Sequence, residues 1–176
     1  MIKITTIDTP LGEMTAAATR EGICFLGFSG SKELRQSLHA LTVCFGMPSR
    51  LGGNWHTWTL KRQLKEYFRG RRKEFTVRLL TQGTEFQESV WESLKKIPYG
   101  TTITYLEQAK LLNNPEAFRA VANADGHNPV AIVIPCHRVI GSDGSLTGYA
   151  GGLEKKQWLI DHERKHSGKP VDGTLF

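Results

Sequence analysis

The chain has 176 residues, 39% of them hydrophobic and 23% charged, the composition of one ordinary folded domain or of two small ones sharing an interface. No apolar run approaches the ~20 residues of a membrane-spanning helix, and Met1-Ile2-Lys3-Ile4-Thr5 lacks the regions of a secretory signal, so a cytoplasmic or, in a eukaryote, nuclear address is expected. The formal charge of +6 is uneven, since residues 1–83 hold 13 Lys and Arg against 6 Asp and Glu while residues 84–176 hold 10 against 11, and by itself it does not establish a nucleic-acid partner.

Ile2 and Ile4 alternate with polar residues, Thr9-Pro10-Leu11-Gly12 reads as a turn, Met14 to Ala18 as a second strand, Glu21-Gly22 as a second turn and Ile23 to Phe28 as a third strand. Together they predict an antiparallel meander. Ser31 is a candidate cap for a helix bearing Leu34, Leu38 and Leu41, and Leu60, Leu64 and Phe68 mark another helix ending at Gly70. Lys61, Arg62, Lys65, Arg69, Arg71, Arg72 and Lys73 make the densest basic run, which reads first as a solvated helix face and a basic loop. Phe75, Val77 and Leu79 alternate as a strand.

From Thr84 the pattern is helical. Thr84-x-x-Gln87 is a capping box, with Phe86, Val90, Leu94 and Ile97 as the buried stripe and Pro98-Tyr99-Gly100 as the stop. A second box, Thr104-x-x-Glu107, opens a helix over Tyr105 to Leu112, and Pro115 starts the next, which runs to about Asp125. Two short helices so closely joined resemble a helix-turn-helix, which serves DNA binding or plain packing. Gly148 to Gly152 is a loop, Leu153 to Glu163 the final helix, and a polar tail follows from Arg164.

Three cysteines, odd in number and widely spaced, argue against a disulfide framework and leave a free thiol. Cys136 lies in Ile132-Val133-Ile134-Pro135-Cys136-His137-Arg138-Val139-Ile140. A cysteine in apolar surroundings is commonly buried and inert, but an adjacent His and Arg point to a nucleophile, because a thiol needs a base or a positive field to react. Neighbours on an extended strand point to opposite faces, so contact between Cys136 and His137 requires a turn or a bridging water. Glu163 is the candidate partner that holds the imidazole tautomer. A zinc site from Cys24, Cys44, His39 and His56 lacks paired C-x-x-C spacing, and no metal is expected.

Pro135-Cys136-His137-Arg138, preceded by Asn128-Pro129 and followed by Gly148-Tyr149-x-Gly151-Gly152-Leu153, closely resembles the O6-alkylguanine-DNA alkyltransferase family. Thr9-Pro10-Leu11-Gly12, Leu64-Lys65-Glu66-Tyr67-Phe68-x-Gly70, Gly83-Thr84-x-Phe86-Gln87, Ile97-Pro98-Tyr99-Gly100 and Arg119-Ala120-Val121 follow in family order, so the resemblance covers about residues 1–165. It implies an α+β fold: a ribonuclease-H-like sheet-and-helix domain over residues 1–80, a winged helix-turn-helix-type catalytic domain over 84–165, and a tail over 166–176.

The resemblance also implies an activity: one-time, cofactor-free transfer of an alkyl group from O6-alkylguanine in double-stranded DNA to Cys136 by a monomer that enters the minor groove. His137 then corresponds to the water-mediated base, Glu163 to its orienting acid, and Tyr105, which also contacts DNA, to the hydroxyl beside guanine, with Lys156 nearby. Val139, Tyr149 and Ala150 correspond to the guanine pocket and Asn128 to a hinge. Arg119 corresponds to the residue that replaces the flipped base, with Ala120 and Phe118 beside it on the DNA face. Phe118, Ala122 and Asp125 depart from the family pattern. The Phe118 ring either wedges into the groove or packs inward, and Asp125, near the end of the recognition helix, is expected to face phosphates and repel them. A lesion-binding protein without transfer, or a DNA-binding regulator, is the alternative; the acceptor thiol argues against the first.

Overall fold

The computed structural model describes residues 1–168. Three strands, β1 (Ile2–Thr9), β2 (Gly12–Ala18) and β3 (Ile23–Phe28), form the expected antiparallel meander, and β4 (Ser49–Leu51) adds in parallel to β1, giving the order β3-β2-β1-β4. Thr9 pairs with Gly12 across the two-residue Pro10-Leu11 turn, and Gly12, the first residue after it, has φ 104°, a conformation that favours glycine. Register puts Ile4, Ala17 and Phe25 in one row, and they pack under α1 (Leu34–Phe45) through Leu34, Leu38, Leu41 and Phe45. Ile7, Met14, Ala16 and Leu26 join the larger core on the other side, with Leu60, Leu64 and Tyr67 of α2 (Trp55–Phe68).

Helix α1 starts later than Ser31 predicts: its N-cap is Glu33, and no side chain caps it. The strand expected at Phe75 to Leu79 is absent. Leu79 makes only an isolated parallel bridge with Ile23, the first residue of β3; in that register Val77 and Phe75 run back alongside the turn closed by Thr19 N–H on the Gly22 carbonyl, where there is no strand to pair with. Thr76 instead bonds the Gln63 side chain, its N–H donating to Oε1 and its hydroxyl accepting from Nε2.

The second half begins with α3 (Glu85–Lys95), whose Thr84–Gln87 capping box forms as expected, although Phe86 is exposed and only Val90, Trp91, Ser93 and Leu94 of the helix are buried. The box at Thr104 and Glu107 opens α4 (Tyr105–Leu111); a left-handed Asn113 and a 3-10 turn at Pro115–Ala117 lead into α5 (Phe118–Gly126). Trp91 Nε1 donates to the Ala124 carbonyl at 2.9 Å and fixes α5 on α3. Two-residue strands β5 (Ile103–Thr104) and β6 (Val139–Ile140) pair in parallel. Helix α6 (Leu153–His166) extends past Glu163, so Arg164 to His166 are helical rather than tail, and the expected tail from 169 onward lies outside the described residues. One apolar cluster joins both halves, from Ile7 and Leu60 to Val90, Val121 and Leu159.

Candidate active site

The segment from Asn128 to Cys136 is a chain of tight turns. The Asn128 side chain accepts from Val130 N–H at 3.0 Å and donates to the Ile134 carbonyl at 2.7 Å, tying the two ends of the segment. Val133 N–H reaches the Ala131 carbonyl over Ile132, a buried β-branched residue held at φ 70°, where strain costs about 1–3 kcal/mol. Cys136 N–H then bonds the Ile134 carbonyl around Pro135, at φ −84° and ψ 63° an inverse γ-turn that suits a fixed proline φ. Cys136, His137 and Arg138 form a 3-10 turn rather than extended strand, the first of the two routes, turn or bridging water, by which the neighbours could meet.

Cys136 faces a cleft of about 450 Å³ lined also by Phe28, Asp125, Asn128, Tyr149 and Gly151. Burial pushes its thiol up to about 11, with the Asn128 amide opposing, Asp125 adding and Lys156 opposing, so the resting form is the neutral thiol. His137 is fully buried, and that burial lowers its pKa against the pull of Glu163. Its Nε2 lies 2.7 Å from Glu163 Oε1. Burial raises the Glu163 carboxyl, but the hydrogen bonds and charges of His137 and Arg138 outweigh this and hold it well below the usual carboxylate range. An ionised carboxylate only accepts, so Nε2 carries the proton and Nδ1 the lone pair. Nδ1 is buried and has no hydrogen-bond partner among the described residues.

Glu163 is the hub. Oε1 accepts from Tyr67 at 2.8 Å, His137 and Arg138 Nη2, while Oε2 accepts from Arg138 Nε at 2.8 Å and Gly100 N–H. Arg138 completes its fork on the Ile97 carbonyl at 2.7 Å. Tyr67 and Arg138, noted in sequence only as parts of short motifs, were given no role toward Glu163; the polar residue within the buried i, i+3, i+7 stripe Leu60-x-x-Gln63-Leu64-x-x-Tyr67 and the charge within an apolar run were the available signals.

Lys156, near enough to Cys136 to couple to its charge but not in the cleft wall, is wholly buried and donates to the Thr147 carbonyl at 2.9 Å and the Tyr105 hydroxyl at 3.4 Å. Burial lowers its pKa, opposed by Cys136 and Asp125, while burial raises that of Tyr105, which keeps its proton at neutral pH. Val139 is buried beneath the turn, and Tyr149, edge-on to Phe28 at 6.2 Å, and Ala150 line the opening. On α5, Phe118, Arg119 and Ala120 face outward, with the Arg119 guanidinium 5.7 Å from the Phe118 ring centroid. Phe118 is therefore not packed inward.

Asp125 corrects an expectation. It is 5% exposed, not turned toward solvent, because Val121, Ala124 and Asp125 share the buried face of α5. Gln108 Nε2 donates to Oδ1 at 3.0 Å, and burial, opposed by Gln108 and Lys156, raises the carboxyl to about 7. His127 does not pair with it and bonds the Asn123 carbonyl. Nor do the zinc candidates converge: Cys24 donates to the Ala17 carbonyl, Cys44 to Gln82 Oε1, and His56 meets the Arg20 carbonyl.

The amino-acid sequence matches the ribonuclease-like domain of 6-O-methylguanine DNA methyltransferase over residues 2–81 and its DNA binding domain over residues 85–165. The methylated-DNA–protein-cysteine methyltransferase of Mycolicibacterium paratuberculosis is 42% identical over 100% of this chain and 99% of its own. The chain belongs to the 6-O-methylguanine DNA methyltransferase family. Among solved structures, the O6-methylguanine methyltransferase of Mycobacterium tuberculosis superposes with a TM-score of 0.81 at 39% identity, covering 100% of this chain and 99% of that one. A structure of the Mycobacterium tuberculosis protein in complex with DNA matches at 0.79 and 38% identity, covering 94% of this chain and 93% of that one. The α+β architecture expected from the family resemblance is the one these structures share. Among the described residues no helix is long and apolar enough to cross a membrane.

Proposed function

We propose that this chain repairs DNA by moving the alkyl group of O6-alkylguanine irreversibly onto Cys136, one group per molecule. The observation that carries the reading is the Cys136–His137–Glu163 array: a neutral thiol on an open cleft, followed by a neutral imidazole whose protonated nitrogen is held by an ionised carboxylate. The sulfur attacks the alkyl carbon in line and the carbon–O6 bond breaks. The thiol proton passes through a bridging water to His137 Nδ1, and Tyr105, with Lys156 beside its oxygen, gives a proton to the departing guanine. His137 then returns its proton through solvent to Tyr105. The product is a thioether, and no side chain in the site can reduce it.

An O6 atom inside a duplex is out of reach of this cleft, so the base must leave the stack. Outward-facing Phe118, Arg119 and Ala120 on α5 suit entry at the minor groove, with the Arg119 guanidinium taking the vacated place. All groups named come from one chain, so a monomer suffices. The test is a peptide map after reaction with an O6-methylguanine duplex. The methyl belongs on Cys136, and Cys136→Ser keeps lesion binding without transfer; a methyl on Cys24 or Cys44 overturns the assignment.

A further inference from the structure

The outer face of α2 carries two tryptophans that the catalytic site does not use. Trp55 and Trp58 are each 67% exposed, an unusual place for large apolar rings. At 3.6 residues per turn, Trp55, Trp58, Arg62, Lys65 and Arg69 fall within an arc of roughly 80°, away from the buried Leu60, Gln63, Leu64 and Tyr67. The Nε1 edge of the Trp58 indole lies close to Gly53, where a Cβ would meet it at 2.8 Å, so the absence of a side chain there leaves room for the ring. Among the described residues Arg62, Lys65 and Arg69 have no ion pair, and Glu66, the only carboxylate on the helix, is bound to Arg72 at 2.6 Å.

We propose that this face of α2 is a second nucleic-acid site, which holds single-stranded DNA by stacking bases on Trp55 and Trp58 and pairing phosphates with Arg62, Lys65 and Arg69. Aromatic platforms beside a line of cations are what a single strand requires, since its bases are free to stack and its phosphates repeat along the chain. A duplex hides its base faces from an indole. The stripe runs about 21 Å along the helix, long enough for several nucleotides. A helix lying on a membrane needs its apolar face free for lipid, whereas the apolar face of α2 is buried in the core. The charge distribution agrees, because the half that contains α4 and α5 has 10 basic residues against 11 acidic ones and the cationic excess lies in the half that contains α2. Choosing DNA over RNA rests on the proposed function; the stripe itself does not.

The test is anisotropy of a labelled, undamaged thymidine oligonucleotide of about 20 nucleotides, titrated with the full chain, with Trp55→Ala/Trp58→Ala and with Arg62→Gln/Lys65→Gln/Arg69→Gln. Each multiple variant is expected to bind about tenfold more weakly while keeping the wild-type melting temperature and its reaction with free O6-methylguanine base. The cation variant is also expected to lower the slope of log affinity against log salt by about 2. Binding by both variants at wild-type affinity overturns the proposal, as does tighter wild-type binding to a uridine oligoribonucleotide or to phosphatidylserine vesicles. Were the wild type to transfer no alkyl group, the oligonucleotide titration would still read this site, so the two failures are distinct.

Discussion

Tyr67 of α2 donates a 2.8 Å hydrogen bond to Oε1 of Glu163 on α6, the oxygen that also accepts from His137. The sheet-bearing half therefore helps to hold the acid that orients the imidazole. Tyr67→Phe removes one of several donors to a buried charge, so we expect a loss of about 1–2 kcal/mol in denaturant unfolding and a several-fold slower transfer with duplex affinity retained. Unchanged unfolding and unchanged transfer would show that the contact carries neither role.

Glu163→Gln is predicted to be more damaging, because it leaves Arg138 buried beside a neutral amide; breaking such a pair costs about 3–5 kcal/mol. Its pH signature follows from the depressed carboxyl. A glutamate in the unfolded chain titrates near about 4.3, and the folded value is lower. The stability it contributes is thus complete above the unfolded value and drains as pH falls toward the folded one. Urea unfolding at stepped acidic pH should show a steeper decline in the wild type than in the variant, and parallel declines would contradict the linkage.

Asp125 has the opposite sign. Its folded carboxyl is raised to about 7, so the native state binds a proton that the unfolded chain has already released, and stability falls as pH rises from the unfolded value to about 7. Asp125→Asn should remove this slope, and at pH above about 7 it should be the more stable protein, by on the order of 2–4 kcal/mol. Because the carboxyl is buried rather than turned to phosphates, the variant should bind duplex with the wild-type salt dependence. A selective gain at low salt would restore the repulsion first expected from its place in α5.

That misplacement shows where one-dimensional reading stopped. The capping boxes at Thr84 and Thr104 and the hairpin at Gly12 were legible because each rests on contacts within a few residues. Tyr67, Gly100 and Gln108 were not, since their roles depend on partners 96, 63 and 17 positions away. The strand predicted at Phe75 to Leu79 failed for the same reason: only Leu79 meets β3, at its first residue Ile23, so the residues before it have no strand beside them, which no local pattern announces. Asp125 was legible in principle, through its spacing from Val121, but a charge near a helix end was read as surface.

Arg119→Ala should slow repair of O6-methylguanine in duplex far more than reaction with the free base. Arg119 faces outward on α5 beside Phe118 and lies outside the Cys136 cleft, so the free base has no use for it. Single-turnover rates on both substrates check this, and an equal loss on both would assign Arg119 to the fold or the pocket.

The central claim is that Cys136 is a one-time acceptor, and intact mass after incubation with a large excess of O6-methylguanine oligonucleotide tests it most directly. Of the three thiols that line the cleft, that of Cys136 is the one next in sequence to His137, whose Nδ1 has no hydrogen-bond partner among the described residues, and the thioether it forms has no route back. The account predicts that every molecule gains one methyl group and that demethylated oligonucleotide accumulates to the same molar amount and no further. Product exceeding protein, or protein of unchanged mass beside repaired DNA, would contradict it.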